Sequence, residues 1–576
     1  MTRTRRLGLM AALAAAMVWM STGCTVISMG GPYTVDNDDG GGDPLNKPFQ
    51  RMIAIAPQPN WGPDDTIRGL QAAMAAYEDD PSILAEYLTP EARSKWTAGG
   101  PVTVIQDAFD VVLPPPRETG TTVKIMLKGH WAARINEDDS YTPTSAPWER
   151  PFELVKVGQG YRVSDLPPGL VLTESDVARA YRQTNLYYLS RHTQDRQVVD
   201  RVRLRLNTTE SFAQTVLKRL LEPPTEALRG AVTSSFPSGT KIESIRSGED
   251  RVVINLSGPL DPRDLSVAEA LKGQIRNSLG RNEIAKGRSI EIQLDGETYS
   301  IDRPDTDDHW LDDDIGDTAY YVNTGAVRYL SKDGPGGVVA GAAGERREGY
   351  GHFAISAGAT PLIAARTSTG ISVAGLAPEG LWQEVIRGTD LTPPTWSRDG
   401  SLWTYDAKNG LLRYDPAKGR TASVEVPEEL DRLDVTRFRI ARDGVRVAVT
   451  IGPNTVQIGS ITGGGAGMRL ANLRLLTTTE TGDEIHDIAW RDDEHLLVLV
   501  EGQAGQTLNE INVGDGETTG VPLKDRLESL AALQDRVLAE VRTKDGGVKL
   551  VELNQDRQTW ADKINSEGGA PVFPLG

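Results

Sequence analysis

Apolar residues recur at two different spacings in the first structured part of the chain. The helical repeat comprises Ile67, Leu70, Met74 and Tyr77. It predicts an amphipathic helix. Between residues 123 and 135, apolar and polar positions alternate, which is the pattern of a long half-buried strand. Short helices followed by long antiparallel strands predict an α+β domain over residues 49–195, and an NTF2-like cone with a pocket is one candidate form of it.

Three tryptophans of this domain are candidates for lining such a pocket, namely Trp96, Trp131 and Trp148. Large aromatic side chains more often belong to a hydrophobic core, because they bury a large apolar area. The core interpretation is therefore favoured, and a pocket is the alternative.

A second unit with mixed spacing follows over residues 196–303. In order, its pattern predicts a strand at 202–206, a helix at 212–221, two strands within 242–256, a helix at 265–279 and a strand at 290–294. The helix at 212–221 is ended by Pro223 and Pro224, which cannot continue it. This order predicts a second α+β domain.

From residue 320 to residue 576 a strand pattern repeats. Five similar segments lie roughly 40 to 50 residues apart, and each leads through a polar turn into an apolar strand. Two of the turns, 397–400 and 441–444, combine Asp with Gly, as tight corners between strands require. The repeat predicts an all-β propeller. The strand near Val327 belongs to a sixth blade or closes the ring, and we expect the last repeat to pair with strands from the start of the region.

The first twenty-four residues have a character of their own. Three arginines within the first six residues precede the apolar run Leu7–Met20, and small residues lead to Cys24, the one cysteine of the chain. This order is typical of a signal peptide over residues 1–23, since a membrane span needs about 20 apolar residues. The Gly-Cys ending predicts a lipobox, with Cys24 lipidated as an N-palmitoyl, S-diacylglycerol cysteine on the extracytoplasmic face of the cell membrane. An ordinary signal peptide is the alternative, and Ser21 stands where a lipobox usually has Leu.

Two polar segments separate the predicted domains. Residues 24–48 contain an Asp-rich and Gly-rich run, which predicts a flexible tether. Residues 304–319 are dense in aspartate and predict an extended acidic linker, because like charges repel. His309 and Trp310 interrupt this linker and are candidates for holding a metal or a partner, although a solvated spacer is favoured.

Charge and cysteine content narrow the function classes. The formal net charge of −18 argues against nucleic acid as a partner, since a phosphate-binding surface needs clustered Lys and Arg. A single cysteine cannot form an intramolecular disulfide, so each domain depends on its own core.

Catalytic motifs are absent from the sequence. No His-Glu-x-x-His, Gly-x-Ser-x-Gly, phosphate-binding or dinucleotide-binding pattern is present. A carboxylate pair for glycoside cleavage stays open, because acidic residues are abundant. Glu484 and His486 lie close in sequence and are favoured as a surface pair. The six histidines are scattered at His130, His192, His309, His352, His486 and His495. We expect no enzyme activity, no cofactor and no metal.

Four segments of the second unit resemble a GerMN domain. They are Pro223–Leu228, Phe236–Ile242, Arg251–Ser257 and Ser289–Gly296. With the lipobox in front and the strand repeats behind, the whole chain is similar to the LpqB-type lipoproteins of actinobacteria. The resemblance implies a non-enzymatic accessory lipoprotein whose partner is the extracytoplasmic domain of an MtrB-type sensor histidine kinase in cell-envelope signalling. A glycan- or peptidoglycan-binding factor in cell-wall remodelling is the alternative, and a propeller-associated hydrolase ranks last.

Overall fold

The fold is seen in a computed structural model. It describes residues 33–36, 50–113, 122–193, 196–206, 211–261, 263–285, 287–302, 310–311, 316, 318–331, 334–430, 433–565 and 567–576. Cys24, the predicted signal peptide and most of the acidic segment 304–319 lie outside the described residues. Two α+β units are followed by a ring of four-stranded sheets. Among the described residues, no helix has the length and apolar character needed to cross a bilayer.

The first unit packs three short helices and a fourth against one sheet. Its helices are α1 (Pro63–Ala75), α2 (Pro81–Glu86), α3 (Pro90–Lys95) and α4 (Glu174–Ala180). Its strands are β3 (Val102–Ile105), β4 (Asp110–Val112), β5 (Thr122–Ile135), β6 (Tyr141–Val157), β7 (Gly160–Asp165) and β8 (Val171–Thr173). The sheet order is β7-β6-β5-β3-β8, with β4 on β5. The long strand predicted from residue alternation is confirmed as β5. Helix α4 begins with the capping box of Thr173 and Asp176.

A strand lies inside the segment that was expected to be a flexible tether. Strand β1 (Tyr33–Asp36) pairs antiparallel with β2 (Gln50–Ile53). The expectation of a tether over the whole of 24–48 is therefore wrong for these four residues. Its basis was the Asp-rich and Gly-rich run, whereas Tyr33, Thr34 and Val35 just before that run are strand-forming residues.

The second unit contains two sheets and two helices. Its strands are β9 (Tyr181–Ser190), β10 (Gln197–Arg205), β11 (Val232–Thr233), β12 (Lys241–Ser247), β13 (Arg251–Ser257), β14 (Ser289–Leu294) and β15 (Glu297–Asp302). Its helices are α5 (Phe212–Leu221) and α6 (Leu265–Gly280), with a 3₁₀ turn at Glu226–Leu228. The sheets have the orders β10-β9-β11 and β12-β13-β14-β15. Helix α6 makes the crossover between the parallel strands β13 and β14.

The unit boundary placed at 195/196 by sequence lies inside one of these sheets. Strand β9 pairs with β10 along its whole length, from Tyr181 opposite Arg205 to Leu189 opposite Gln197. Leu186 and Tyr188 are buried in the core of the second unit. The second unit therefore starts upstream of residue 196, because a strand must lie with the partner that satisfies its backbone groups.

The C-terminal region forms six blades within the described residues. Blade 1 contains β16 (Ala319–Asn323), β17 (Ala326–Ser331) and β18 (Gly334–Val338); blade 2, β19 (Gly351–Ile355), β20 (Leu362–Arg366), β21 (Gly370–Gly375) and β22 (Gln383–Arg387); blade 3, β23 (Thr395–Trp396), β24 (Leu402–Asp406), β25 (Gly410–Asp415) and β26 (Arg420–Val424). Blade 4 contains β27 (Val435–Ile440), β28 (Arg446–Ile451), β29 (Thr455–Thr462) and β30 (Arg469–Thr478); blade 5, β31 (Glu484–Trp490), β32 (His495–Gly502), β33 (Gly505–Asn512) and β34 (Thr518–Val521). Blade 6 contains β35 (Leu527–Leu533), β36 (Arg536–Arg542), β37 (Val548–Leu553) and β38 (Trp560–Ile564), and β39 (Gly568–Val572) follows it.

The ring closes as a propeller must. Strand β39, the last of the chain, pairs with β16 and completes blade 1 in the order β18-β17-β16-β39. The predicted pairing between the end and the start of this region is confirmed. The innermost strands β39, β19, β23, β27, β31 and β35 each contact the next and surround a central channel. The strand near Val327 belongs to blade 1.

The Asp-Gly turns form the tight corners between strands that the repeat predicted, and their glycines rather than their aspartates have positive φ. Gly400 and Gly444 have φ values of 79° and 72°. Asp399 and Asp443 are not among the described residues with positive φ. Their carboxylates instead accept backbone N–H bonds two residues further on, from Ser401 at 3.0 Å and Val445 at 2.7 Å. Each aspartate therefore shapes its corner through a side-chain hydrogen bond.

Candidate functional site

The two α+β units and the propeller meet around a cavity of about 370 Å³. It is lined by Asn136, Ser140 and Thr142 of the first unit, by Asp200, Arg201 and Thr225–Leu228 of the second, and by Arg446, Ile458, Gly459, Asn472–Leu475 and Gly514 of the propeller. Ligand pockets usually have volumes of roughly 300–1,000 Å³. The junction cavity is therefore large enough for a small molecule, and its lining combines charged and polar side chains with apolar ones such as Leu228, Ile458 and Leu473.

Arginines of strand β10 join the second unit to blade 5. Arg201 donates from Nε to Asp515 at 2.8 Å and from Nη2 to Glu517 at 2.7 Å. Arg203 donates from Nη2 to the same Asp515 oxygen at 2.9 Å. The Asp515 side chain is 1% exposed, so two guanidinium groups neutralise one buried carboxylate. Such charge-assisted bonds are stronger and more directional than neutral ones.

The Asp-Gly turn of blade 4 contributes a second connection. Arg446 pairs through Nη1 with Asp443 Oδ2 at 2.7 Å, and both side chains are almost fully buried. Its other terminal nitrogen donates to the carbonyl oxygen of Val199 in strand β10. The turn therefore both shapes a corner of the blade and holds the neighbouring unit.

A hairpin tip of the first unit completes the junction. Asp139, in the turn between β5 and β6, has a φ of 62° and accepts from Nε of Arg219 at 2.9 Å. Its neighbour Asp138 accepts the backbone N–H of Glu226 at 2.8 Å. Left-handed backbone is tolerated by aspartate better than by most residues. The tip thus binds the end of helix α5 and the following 3₁₀ turn.

Burial shifts the pKa values of two charged groups around the cavity, Asp200 and Arg474. Burial raises the pKa of Asp200, although hydrogen bonds from Thr225 at 2.8 and 2.7 Å oppose that shift. Burial and the neighbouring Arg446 lower the pKa of Arg474. Arg474 Nε lies buried without a hydrogen-bond partner among the described residues. The cavity therefore contains partly uncompensated positive charge beside a buried carboxyl group.

Trp310 lies in the second unit and not in a solvated spacer. It is 8% exposed, and its carbonyl oxygen accepts the N–H of Gln197 at 3.0 Å. Its ring covers Gly273 of helix α6, where an added Cβ would lie 2.5 Å from the indole nitrogen. The expectation that Trp310 belongs to a solvated or partner-binding linker is therefore wrong, because its apolar ring packs against helix α6 of the second unit. His309 lies outside the described residues.

The three tryptophans proposed for a pocket do not line the junction cavity. Trp96 packs edge-on against Tyr77, with ring centres 5.3 Å apart, and donates to Pro167 O at 3.2 Å. Trp148 packs partly buried against the first core. Trp131 donates to Ala133 O at 2.8 Å. For Trp96 and Trp148 the favoured core interpretation is confirmed.

The histidines make structural contacts with different parts of the chain. His192 lies 2.7 Å from Ile461 O, and His486 lies 3.1 Å from Glu528 O. His495 pairs with Asp492 at 2.9 Å. No group of three or more His, Cys, Asp and Glu side chains that could hold a metal is found among the described residues. The predicted surface pair of Glu484 and His486 is not formed, since His486 is directed to blade 6.

Sequence reasoning missed the arginines that hold the junction together. Arg201, Arg203 and Arg205 alternate with apolar residues in strand β10, and only the apolar members were used to predict the strand. These arginines share the face of the strand opposite its apolar residues. Their alternation could have indicated that this face contacts carboxylates. Asp515, the partner of Arg201 and Arg203, lies 314 positions from Arg201, a separation that no local pattern reveals.

Family models match most of the chain. The model described as "Lipoprotein LpqB, N-terminal domain" matches residues 56–178, and "Lipoprotein LpqB beta-propeller domain" matches residues 327–574. The GerMN model, described as "Sporulation and spore germination", matches residues 185–300. Among solved structures, TolB from Acinetobacter baumannii is 13% identical with a TM-score of 0.36, covering 58% of this chain and 98% of that chain. A likeness of this size supports no functional inference.

Curated relatives extend over the whole length. Lipoprotein LpqB of Thermobifida fusca is 27% identical over 97% of this chain and 98% of its own. Lipoprotein LpqB of Mycobacterium tuberculosis is 25% identical over 90% of this chain and 92% of its own. The resemblance inferred from the sequence is thereby confirmed. The chain belongs to the LpqB family of membrane-anchored lipoproteins, with a GerMN domain between its N-terminal domain and its β-propeller.

Proposed function

We propose that this lipoprotein acts by binding, as a non-enzymatic accessory protein for the extracytoplasmic domain of a sensor histidine kinase of the MtrB type. Lipidated Cys24 would hold it on the extracytoplasmic face of the cell membrane, where a membrane-bound partner is present at high effective concentration. The anchor is tested by detergent-phase partitioning of the wild type against Cys24→Ala, and equal partitioning would contradict it.

The observation that carries this proposal is the buried ion-pair junction. Arg201, Arg203 and Asp515 fix the propeller to the second unit, and Arg446 reaches from blade 4 to Val199. A propeller presents loops from several blades on one face, and a rigid mount keeps that face in a constant position. Preorganisation of this kind reduces the entropy that a protein–protein complex loses on binding.

The charge of the chain predicts the character of the partner. At a net charge of −18, the contact surface of the kinase domain should be neutral or basic, because like charges across an interface are unfavourable. Long-range attraction would accelerate association at low salt. It should weaken at about 0.5 M salt, where the Debye length is only a few ångströms.

The test uses immobilised residues 25–576 and the purified extracytoplasmic domain of the kinase. We expect saturable binding with a Kd of about 10 μM or tighter, corresponding to roughly −7 kcal/mol. The association rate should fall between 0.05 and about 0.5 M salt. A matched comparison uses Arg201→Gln/Arg203→Gln, which should weaken binding if the rigid mount matters. No saturable binding with both proteins folded would contradict the proposal, and retention on peptidoglycan alone would favour the cell-wall alternative.

A further inference from the structure

The inner strands of the propeller carry bulges at equivalent positions. One extra residue interrupts the pairing of the inner strand in blades 1, 2, 4, 5 and 6. The shifts lie at Ala570, between Gly351 and Ala354, between Val435 and Arg437, between Ile485 and Asp487, and between Leu527 and Ser529. Bulges bend a strand and redirect its side chains, and they are frequent next to functional sites. In blades 2, 4, 5 and 6 each bulge lies near the start of its strand, so together they surround one mouth of the channel.

The opposite mouth is occupied by the chain itself. Arg442 follows the end of β27 and donates to Trp490 O at 2.9 Å and Ala532 O at 2.5 Å, across blades 5 and 6. Phe573 and Leu575 near the end of the chain are buried, and Gly576 lies beside Arg442. The Asp-Gly turn of blade 4 on this side also contacts the second unit. The bulged mouth lies at the other end of the strands and faces away from that unit.

His352 is held in an unusual conformation at the bulged mouth. Its φ is 49°, in the left-handed region that few non-glycine residues occupy. It is solvent-accessible although it lies on an inner strand. Such strain is retained where the surrounding structure imposes it, often at binding sites.

The charges acting on His352 come from across the channel. Desolvation and then the positive charges of Arg366 and Arg439 lower its pKa to about 4, and Arg437 acts in the same direction. Asp487 opposes them. Blades 2 and 4 are not neighbours, so Arg439 can act on His352 only across the channel. Three guanidinium groups therefore act on His352 together with the Asp487 carboxylate, and the carboxylates of Glu528 and Glu540 also lie at this mouth, at the bulges of blades 6 and 1.

Two of these arginines form no ion pair within 4 Å among the described residues, although the charge of Asp487 also acts on Arg439. Arg366 donates from Nη1 to Leu391 O at 2.8 Å, and Arg439 donates from Nη1 to Pro394 O at 3.0 Å. Arg437, in contrast, pairs with Asp487 at 3.3 Å. Backbone carbonyls hold the two unpaired guanidinium groups in place but do not neutralise them. A guanidinium group that is held by backbone carbonyls and lacks an ion-pair partner can still bind an anion.

We propose that the bulged mouth of the propeller binds an anion, a carboxylate- or phosphate-bearing group held by Arg366 and Arg439 with His352 beside it. Guanidinium groups present paired donors that match both kinds of oxyanion. The site goes beyond the proposed kinase partnership and does not depend on it, because the isolated chain should bind small anions.

The test is calorimetric titration of residues 25–576 with citrate and with inorganic phosphate at low ionic strength. The two probes distinguish carboxylate from phosphate recognition. We expect saturable binding of at least one probe, weakened about tenfold or more in Arg366→Gln and in Arg439→Gln. Arg387→Gln is the matched control, because that arginine is 90% exposed on an outer strand and pairs with Glu384. It should bind as the wild type does.

Thermal unfolding supplies a readout that separates binding from structure. Without anion, Arg439→Gln should be at least as stable as the wild type, because it removes an unpaired charge. With the anion that binds, only the wild type and Arg387→Gln should gain melting temperature. Absence of binding by both probes, or equal binding by all variants, would overturn the proposal. A loss of stability in Arg439→Gln with undiminished anion binding would also overturn it. The role of Arg439 would then be to stabilise the fold through its hydrogen bond to Pro394 O.

Discussion

Arginine is the residue that connects the parts of this molecule. Arg201 and Arg203 join the second unit to blade 5, Arg219 binds the hairpin tip of the first unit, and Arg446 links blade 4 to strand β10. The guanidinium group keeps its charge when buried and offers several donors in a fixed plane. It can therefore bind a carboxylate and a backbone carbonyl at the same time, as Arg446 does. A lysine at these positions would supply a point charge without this geometry.

The buried pair of Arg446 and Asp443 should be costly to break. Arg446→Met removes the cation but leaves Asp443, whose side chain is 0% exposed, without its partner. We expect a loss of about 3 kcal/mol or more in the free energy of unfolding, measured by denaturant titration. Arg387→Met, at an exposed pair, should change it by about 1 kcal/mol at most. Similar small effects for both substitutions would show that Asp443 does not need a buried counter-ion.

At the scale of elements, the sequence predicted regular strands well and their irregularities poorly. The repeat located blade strands such as Val445–Thr450, because two buried faces make a continuous apolar run. The bulges were not predicted, since one extra residue in an inner strand leaves the neighbouring apolar run unchanged. Strand β9 (Tyr181–Ser190) was also missed, because it lies before the alternating apolar positions 202–206 from which the second unit was predicted.

Replacing Gly273 of helix α6 with alanine should lower the stability of the chain, although alanine normally stabilises a helix. Glycine inside a helix normally costs up to about 1 kcal/mol relative to alanine. Gly273→Ala should nevertheless destabilise the chain, because the added methyl group would meet the Trp310 indole at 2.5 Å. Gly280→Ala in the same helix is the matched control, since nothing lies within 4 Å of its added Cβ.

Thermal unfolding and protease cleavage within 304–319 measure this effect. Gly273→Ala should lower the melting temperature and accelerate cleavage, because Trp310 no longer holds the segment on the helix. Gly280→Ala should be neutral or slightly stabilising. If both variants were stabilised equally, Trp310 would not be packed on Gly273 in solution.

At the scale of the whole molecule, contacts rather than chain connectivity should hold the propeller on the second unit. Arg196 pairs with Asp493 at 2.7 Å, and His192 reaches Ile461 O, in addition to the arginines of β10. These contacts surround the junction cavity on the side of the blade turns. The acidic composition of residues 304–319 predicts that proteases cut there first. Cleavage should therefore nick the chain without separating its parts.

A specific protease site inserted between Thr306 and Asp307 allows that expectation to be tested. After complete cleavage, the two wild-type fragments should elute together in size-exclusion chromatography. Arg201→Gln/Arg203→Gln should weaken their association about tenfold or more, because Asp515 would stay buried without a cation. The double control Arg246→Gln/Arg251→Gln removes the same charge from strands β12 and β13 and should leave the fragments together. Separation of the wild-type fragments would show that the linker, and not the ion-pair junction, fixes the propeller in place.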